Sequence, residues 1–254
     1  MLKADRQDKI VATLGLAPMM RVHELAERLG VSTETIRRDL AELDAKGLIN
    51  RTYGGAVRPI TYEPALAERQ ALMVEERERI AEAAVGTLER SDILMIGGGA
   101  TTLHFARRLA SVNEPLTVIT HAFSIAMTLS VNSQITVLML PGLYDGREGL
   151  IHGGDTVEAL GRFRANKAFL GATGLTAERP NDAAIGPGLI YGAMMRRASE
   201  TYILADHSKF GRPSLTVYGL WSGTTTLITD TAPEGELAKA IERAGASVLV
   251  AGPP

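Results

Sequence analysis

The chain has no cysteine, which excludes disulfides and any thiolate metal site. Its five histidines, His23, His104, His121, His152 and His207, show neither H-x-H nor H-x-x-x-H spacing, so no metal and no cofactor is expected. No apolar run reaches the ~18 residues that a membrane-crossing helix needs. The opening stretch MLKADRQDKIV mixes acids with bases and has no apolar core; no secretory signal is read there, and a cytoplasmic protein without membrane contact is expected. An excess of charge of one sign is also missing, since the net charge is only −2. The distribution says more than the total. Residues 1–60 carry ten Lys/Arg against eight Asp/Glu, a net +2, and the remainder carries −4. With 254 residues, 45% hydrophobic and 22% charged, the chain fits one small and one larger globular domain.

In the small domain, Ile10, Val11 and Leu14 recur at helical spacing up to Gly15, with Pro18 in the connection. Val22, Leu25, Ala26 and Leu29 form a second stripe closed by Gly30, and Ile36, Leu40 and Leu43 a third closed by Gly47. Ser32 suits the N-cap of the third helix and Glu34 its first turn. The run Leu48–Ala56, ending in Gly54-Gly55, reads as a short hairpin or wing. Two helices around a tight turn followed by a wing form a unit that sets one helix in the major groove of DNA. With Ile36, Leu40 and Leu43 inward, Thr33, Glu34, Arg37 and Arg38 lie on or near the outer face. Arg can grip guanine bidentately, while the hydroxyls of Ser32 and Thr35 suit phosphate oxygens. Arg51 and Tyr53 belong to the wing and could follow the DNA backbone or the minor groove.

Pro59 and Pro64 mark a linker over residues 59–74. From Glu75 the texture changes: short apolar runs alternate with helical stretches. The runs are Ile93–Ile96, Leu116–Thr120, Ile135–Leu140, Ala168–Gly171, Tyr202–Ala205, Leu215–Leu220, Leu227–Thr229 and Val248–Val250. Helices are expected near Glu75–Leu88, Thr101–Ala110, Ala122–Leu129, Thr156–Gly161, Ile190–Ser199 and Glu234–Ala244. The alternation predicts an α/β domain with a mostly parallel sheet, preceded by the small winged helix-turn-helix domain. The division expected is 1–58, linker 59–74, and 75–254. Gly97-Gly98-Gly99-Ala100-Thr101-Thr102 follows a strand and opens a helix, where glycines admit a ligand and the helix end favours anions. Thr102 stands where a third dinucleotide-binding glycine would be needed, which weakens a dinucleotide reading.

The run V-S-T-E-T-I-R-R-D-L-A-E-L, with L-I-N-R-T-Y-G-G-A behind it, resembles the DeoR family of bacterial transcriptional regulators over about residues 3–58. The segment A-D-H-S-K-F-G at 205–211 is similar to that family's D-x-S-K-F-G. The resemblance implies a winged helix-turn-helix joined to a sensor related to ribose-5-phosphate isomerases. It further implies a homodimer or homotetramer, in most members a repressor, that binds double-stranded operator DNA and answers a small phosphorylated sugar or polyol. It assigns Asp206 to the effector as acceptor for hydroxyls and Lys209 as a charge for phosphate or carboxylate; Gly98, Gly99 and Thr101 are expected as the phosphate cradle, with His121 as a further effector contact.

The sensor also departs from the family pattern. Gly97 and Ala100 replace an Asp and a hydroxyl residue of the family loop, His121 replaces an Asn, and Pro141 a Gly. Counted back without gaps from Asp206, Pro187 and Tyr191 fall where the family often has a Glu and a Lys. General acid/base catalysis then lacks its residues, so a regulator is expected rather than an isomerase-like enzyme. A redox-sensing repressor that binds a dinucleotide is the other rival. Arg147, Asp182 and Tyr191, with His121, are candidate substitute contacts.

Overall fold

A computed structural model describes residues 3–16, 19–45, 49–52, 54–57 and 63–252. Between Tyr62 and Glu63 the chain divides into two compact units. The N-terminal unit contains α1 (Lys3–Leu16), β1 (Met19–Arg21), α2 (Val22–Leu29), α3 (Thr33–Ala45), β2 (Asn50–Thr52) and β3 (Gly55–Val57). Its core is the set of stripes read from the sequence: Ile10, Leu14, Leu25, Ala26, Ile36, Leu40 and Leu43, joined by Ile49 and Ala56. Gly30 ends α2 at φ 64°, a left-handed backbone that glycine adopts without penalty. Its N–H and that of Val31 return to the carbonyls of Glu27 and Ala26, which turns the chain tightly into α3. The wing is antiparallel, with β3 between β1 and β2. The expected break at Gly15 is passed, since α1 continues to Leu16. Gly47, Leu48, Pro18, Tyr53 and Pro59 lie outside the described residues, as does the side chain of Arg51.

The second unit contains α4 (Leu66–Arg69), α5 (Val74–Val85), β4 (Ile93–Ile96), α6 (Ala100–Leu109), β5 (Leu116–Thr120), α7 (Phe123–Leu129), β6 (Ile135–Met139), β7 (Leu143–Asp145) and β8 (Leu150–His152). It continues with α8 (Gly154–Leu160), β9 (Ala165–Gly171), β10 (Gly174–Leu175), β11 (Pro180–Asp182), α9 (Ile185–Arg197), β12 (Ala198–Leu204), β13 (Thr216–Val217), β14 (Thr225–Thr229), α10 (Gly235–Arg243) and β15 (Ser247–Val250). Seven strands form one sheet in the order β15-β14-β12-β9-β4-β5-β6, and every neighbouring pair is parallel. Side chains alternate across it. Leu94, Ile96, Val118, Phe169 and Leu204 pack on one face with Ile80, Phe105 and Ile125. Met95, Ile119, Leu170 and Ile203 pack on the other with Ile190, Met194 and Leu237.

Strand order reverses between β4 and β9: the chain leaves β4 towards β5 and β6, then returns to β9 and moves away through β12. In open α/β sheets, ligands bind beyond the carboxyl ends of the strands at such a switch point. Gly97–Gly99 and Gly171–Gly174 follow the two strands that border it, and Asp206 follows β12, the strand beyond β9.

Three expectations change. The linker is shorter than read, because residues 63–72 already belong to the second unit. The run Leu215–Leu220 does not enter the main sheet; only Thr216–Val217 is a strand, in a small antiparallel sheet with β10 and β11. Helix α9 begins at Ile185, before the expected Ile190. Pro187 sits in its first turn, where the missing N–H costs no helical bond.

Candidate functional site

On the N-terminal unit, Ser32 accepts the Thr35 N–H at 3.2 Å, and the two hydroxyls lie 2.9 Å apart. The side chains of Arg37 and Arg38 are 61% and 77% exposed. Their nearest acid is Glu34, 3.8 Å from Arg37 and 3.5 Å from Arg38. Exposed pairs of this kind hold their partners by about 0–1 kcal/mol, so both guanidiniums can readily exchange Glu34 for another anion. Thr33 is exposed beside them. Behind this face Asp39 is buried and paired with Arg6 of α1 at 2.5 Å, so one turn of α3 presents bases outward and an acid inward. Backbone pairing places Arg51 opposite Ala56 in the wing.

In the second unit, the loop after β4 is fixed by two aromatic side chains. The Gly98 N–H donates to His121 Nε2 at 3.2 Å, and His121 Nδ1 lies 2.7 Å from the Ile151 carbonyl. A carbonyl can only accept, so Nδ1 carries the proton and the imidazole is neutral. Burial pushes the His121 pKa down to about 4. The Tyr191 hydroxyl donates to the Gly98 carbonyl at 2.6 Å. Both ring nitrogens of His121 and both backbone polar groups of Gly98 are thereby engaged. Gly99, at φ 124°, leads into α6, whose first turn buries Thr101 and Thr102.

Gly97 and Tyr191 explain each other. A Cβ at Gly97 would stand 2.6 Å from Tyr191 Cε1 and 3.2 Å from Leu170 Cδ2. The ring fills the space that a side chain at 97 would occupy, a steric exchange between the two positions. Gly97→Ala should therefore cost about 1–3 kcal/mol, as overpacking does. In a Tyr191→Ala background the same change should cost much less. Urea unfolding of the four proteins checks this; equal cost in both backgrounds would refute the exchange.

Asp206 has two separate roles. Its Oδ1 accepts the Ser208 N–H at 3.1 Å and also the Ser208 hydroxyl, which fixes the 3₁₀ turn His207–Lys209. Its Oδ2 is buried and paired with Arg77 Nε at 3.5 Å, with no other hydrogen bond to either atom. Burial lowers the pKa of Lys209, opposed by Glu63 and Asp206. Lys209 Nζ lies 3.4 Å from Glu63 Oε1. Glu63 also faces Arg69 at 3.5 Å, and Arg69 pairs with Glu148. Asp182, bonded to the Ala184 N–H at 2.9 Å, is raised to about 6 by burial, with Glu63 adding to the shift and Arg69 and Lys209 opposing it. Arg147 turns its guanidinium to the Glu63 carbonyl at 3.3 Å.

Near the switch point, contacts join Gly98 to His121 and Tyr191, and, after β12, Lys209 to Glu63 and Asp206 to Arg77. Sequence reasoning does not single out Glu63, Arg69, Arg77 and Glu148. Their only signal in the sequence is charge, in segments that read as linker or surface. Among the described residues, no group of three or more acids or histidines could hold a metal ion, and no helix is long and apolar enough to cross a membrane.

Residues 6–61 match the DeoR-like helix-turn-helix domain and residues 72–231 the DeoR C-terminal sensor domain. The uncharacterized HTH-type transcriptional regulator FruR of Bacillus subtilis is 30% identical over 92% of this chain and 93% of its own. The HTH-type transcriptional repressor GlcR of the same organism is 27% identical over 96% of each chain. The glycerol-3-phosphate regulon repressor of Escherichia coli is 28% identical over 92% and 93%. Among solved structures, ribose 5-phosphate isomerase A of Methanocaldococcus jannaschii is similar at a TM-score of 0.40, with 18% identity over 54% of each chain. Two family domains in the family's order, and relatives aligned along nearly the whole chain, show that the protein belongs to the DeoR family of transcriptional regulators.

Proposed function

We propose that the protein is a repressor of a sugar or polyol catabolic operon that leaves its operator when a small phosphorylated effector binds the crevice at the switch point. The observation that carries the reading is the exposed, weakly held pair Arg37 and Arg38 on the first half of α3, in a chain whose second domain matches the family's sensor. Ser32, Thr33 and Thr35 with the helix N-terminus would meet phosphates, and Arg51 and Tyr53 of the wing the adjacent backbone. As a homodimer or homotetramer in the cytoplasm, the protein would place two readers on half-sites roughly 34 Å apart. In the crevice, Lys209 and the N–H groups of Gly99 and Thr101 would take the phosphate, with Asp206 Oδ2 accepting an effector hydroxyl. His121 then acts by holding Gly98, since both its nitrogens are engaged.

Fluorescence anisotropy on the neighbouring intergenic DNA tests this. Arg37→Ala should weaken operator binding by ~5–150-fold, the equivalent of one bidentate base contact, and binding to random DNA much less. Equal loss on both would make Arg37 a phosphate contact. Phosphorylated sugars or polyols should release the DNA; release by unphosphorylated ligands alone would overturn the effector assignment.

A further inference from the structure

Lys209 already holds an anion. The Glu63 carboxylate lies 3.4 Å from Lys209 Nζ and 3.5 Å from Arg69, and the three side chains are only 11–13% exposed. Glu63 is the first residue of the second unit. It opens a strap, residues 63–69, that is clasped at several points: Arg147 to the Glu63 carbonyl, Arg69 to the Pro64 carbonyl at 2.9 Å, Arg69 to Glu148, and Arg77 to the Arg69 carbonyl. Leu66, within the strap, is buried.

We propose that Glu63 occupies the seat of the effector's acidic group, and that an anionic effector binds by displacing it and lifting the strap. This rests on the reading of the Lys209 crevice as the effector site. Four features support it. Both Glu63 contacts are longer than the ~2.7–2.9 Å of a strong charge-assisted bond, so the seat is filled loosely. Glu148 and Asp182 place two more carboxylates against the same cations, so Glu63 is crowded by like charge. A phosphate of charge near −2 cannot share Lys209 with Glu63 without further repulsion. Beside Lys209, the buried Asp206 Oδ2 and Arg77 Nε face each other as an ion pair at 3.5 Å, neither with a shorter hydrogen bond, so an effector group could be accepted between them.

The strap runs directly into the segment that leads from the N-terminal unit. Releasing its seven residues would add up to roughly 20–25 Å of extended chain to that tether.

The full-length protein with inorganic phosphate as probe tests this by calorimetry and amide hydrogen exchange. In the wild type, phosphate should raise exchange across residues 63–72, a measurement that needs no substitution. Glu63→Gln should bind phosphate about tenfold tighter, within the ~5–150-fold span of ordinary allosteric coupling, with fast strap exchange whether or not phosphate is present. Lys209→Met should bind none. If Lys209→Met abolishes binding but Glu63→Gln matches the wild type and strap exchange does not move, the strap mechanism is overturned and the effector site stands. If neither the wild type nor Glu63→Gln binds phosphate, both fall.

Discussion

Lys167→Ala should lower the unfolding free energy of the second unit by about 3–5 kcal/mol, the usual cost of stranding one member of a buried ion pair. Lys167 lies on β9, the strand at the centre of the sheet, with its side chain 5% exposed. Its Nζ donates to Asp92 Oδ2 and to the Thr87 carbonyl, both at 2.8 Å. Asp92 is 6% exposed and also accepts the Glu89 N–H at 2.9 Å. Alanine would leave that carboxylate with the Glu89 N–H but without its cation, and would remove the Lys167 donor from the Thr87 carbonyl. Lys167 pairs with Leu94 and Glu200 near the starts of the parallel strands, the end of the sheet away from Gly97 and Gly171. Stability should therefore fall while operator affinity, measured well below the melting range, stays unchanged. Replacing both partners, Lys167→Met with Asp92→Leu, should recover much of the loss, because apolar pairs of similar volume often match buried ion pairs. Urea unfolding with a parallel anisotropy titration measures both effects. A loss below about 1 kcal/mol would place the pair among solvated surface contacts.

The same contrast between local and long-range contacts explains what can be read from the chain alone. The N-terminal unit is legible because its core is local: Ile36, Leu40 and Leu43 repeat on one helix, and Gly30 marks the turn. Strands β4 and β5 match their expected limits because both are apolar runs buried on two faces. The β7–β8 hairpin and the sheet of β10, β11 and β13 escape sequence reading, since two- or three-residue strands carry too short a pattern to register. The run Leu215–Leu220 misleads for the opposite reason. It is apolar, yet Leu215, Val217 and Leu220 are exposed. Within the crevice, Asp206 and Lys209 stand in one recognisable segment. Glu63 reaches Lys209 across 146 positions, and nothing periodic links residues so far apart. Tyr191 stands out in the sequence only as a departure, and its role needs the distance to Gly97.

His121→Asn should gain on the wild type by on the order of 3 kcal/mol as the pH falls from 7 to 4. In the folded chain burial holds the His121 pKa near 4, whereas the unfolded imidazole titrates near 6.5. Between those values the unfolded state binds the proton and the folded state does not, so acidification removes stability from the wild type. The figure follows from a difference of about 2.5 units at 1.36 kcal/mol each. Asp182 works the other way. Its folded pKa of about 6 lies above the ordinary carboxylate value, so it takes up a proton earlier when folded and adds stability as the pH drops below 6. In the wild type the two effects oppose each other, and total stability alone would hide both. The variant keeps the Asp182 effect and loses the histidine's, so the gap between the proteins isolates His121. Urea unfolding at pH 7, 5.5 and 4 measures that gap; parallel curves would mean that the imidazole is solvated when folded. The consequence reaches the loop. A protonated His121 cannot accept the Gly98 N–H, so two donors would face each other where one bond now fixes the entrance to α6. Acid should therefore loosen the loop before the sheet beneath it unfolds. The His121→Asn variant, whose side-chain amide acquires no proton in this range, should hold Gly98 equally at every pH tested.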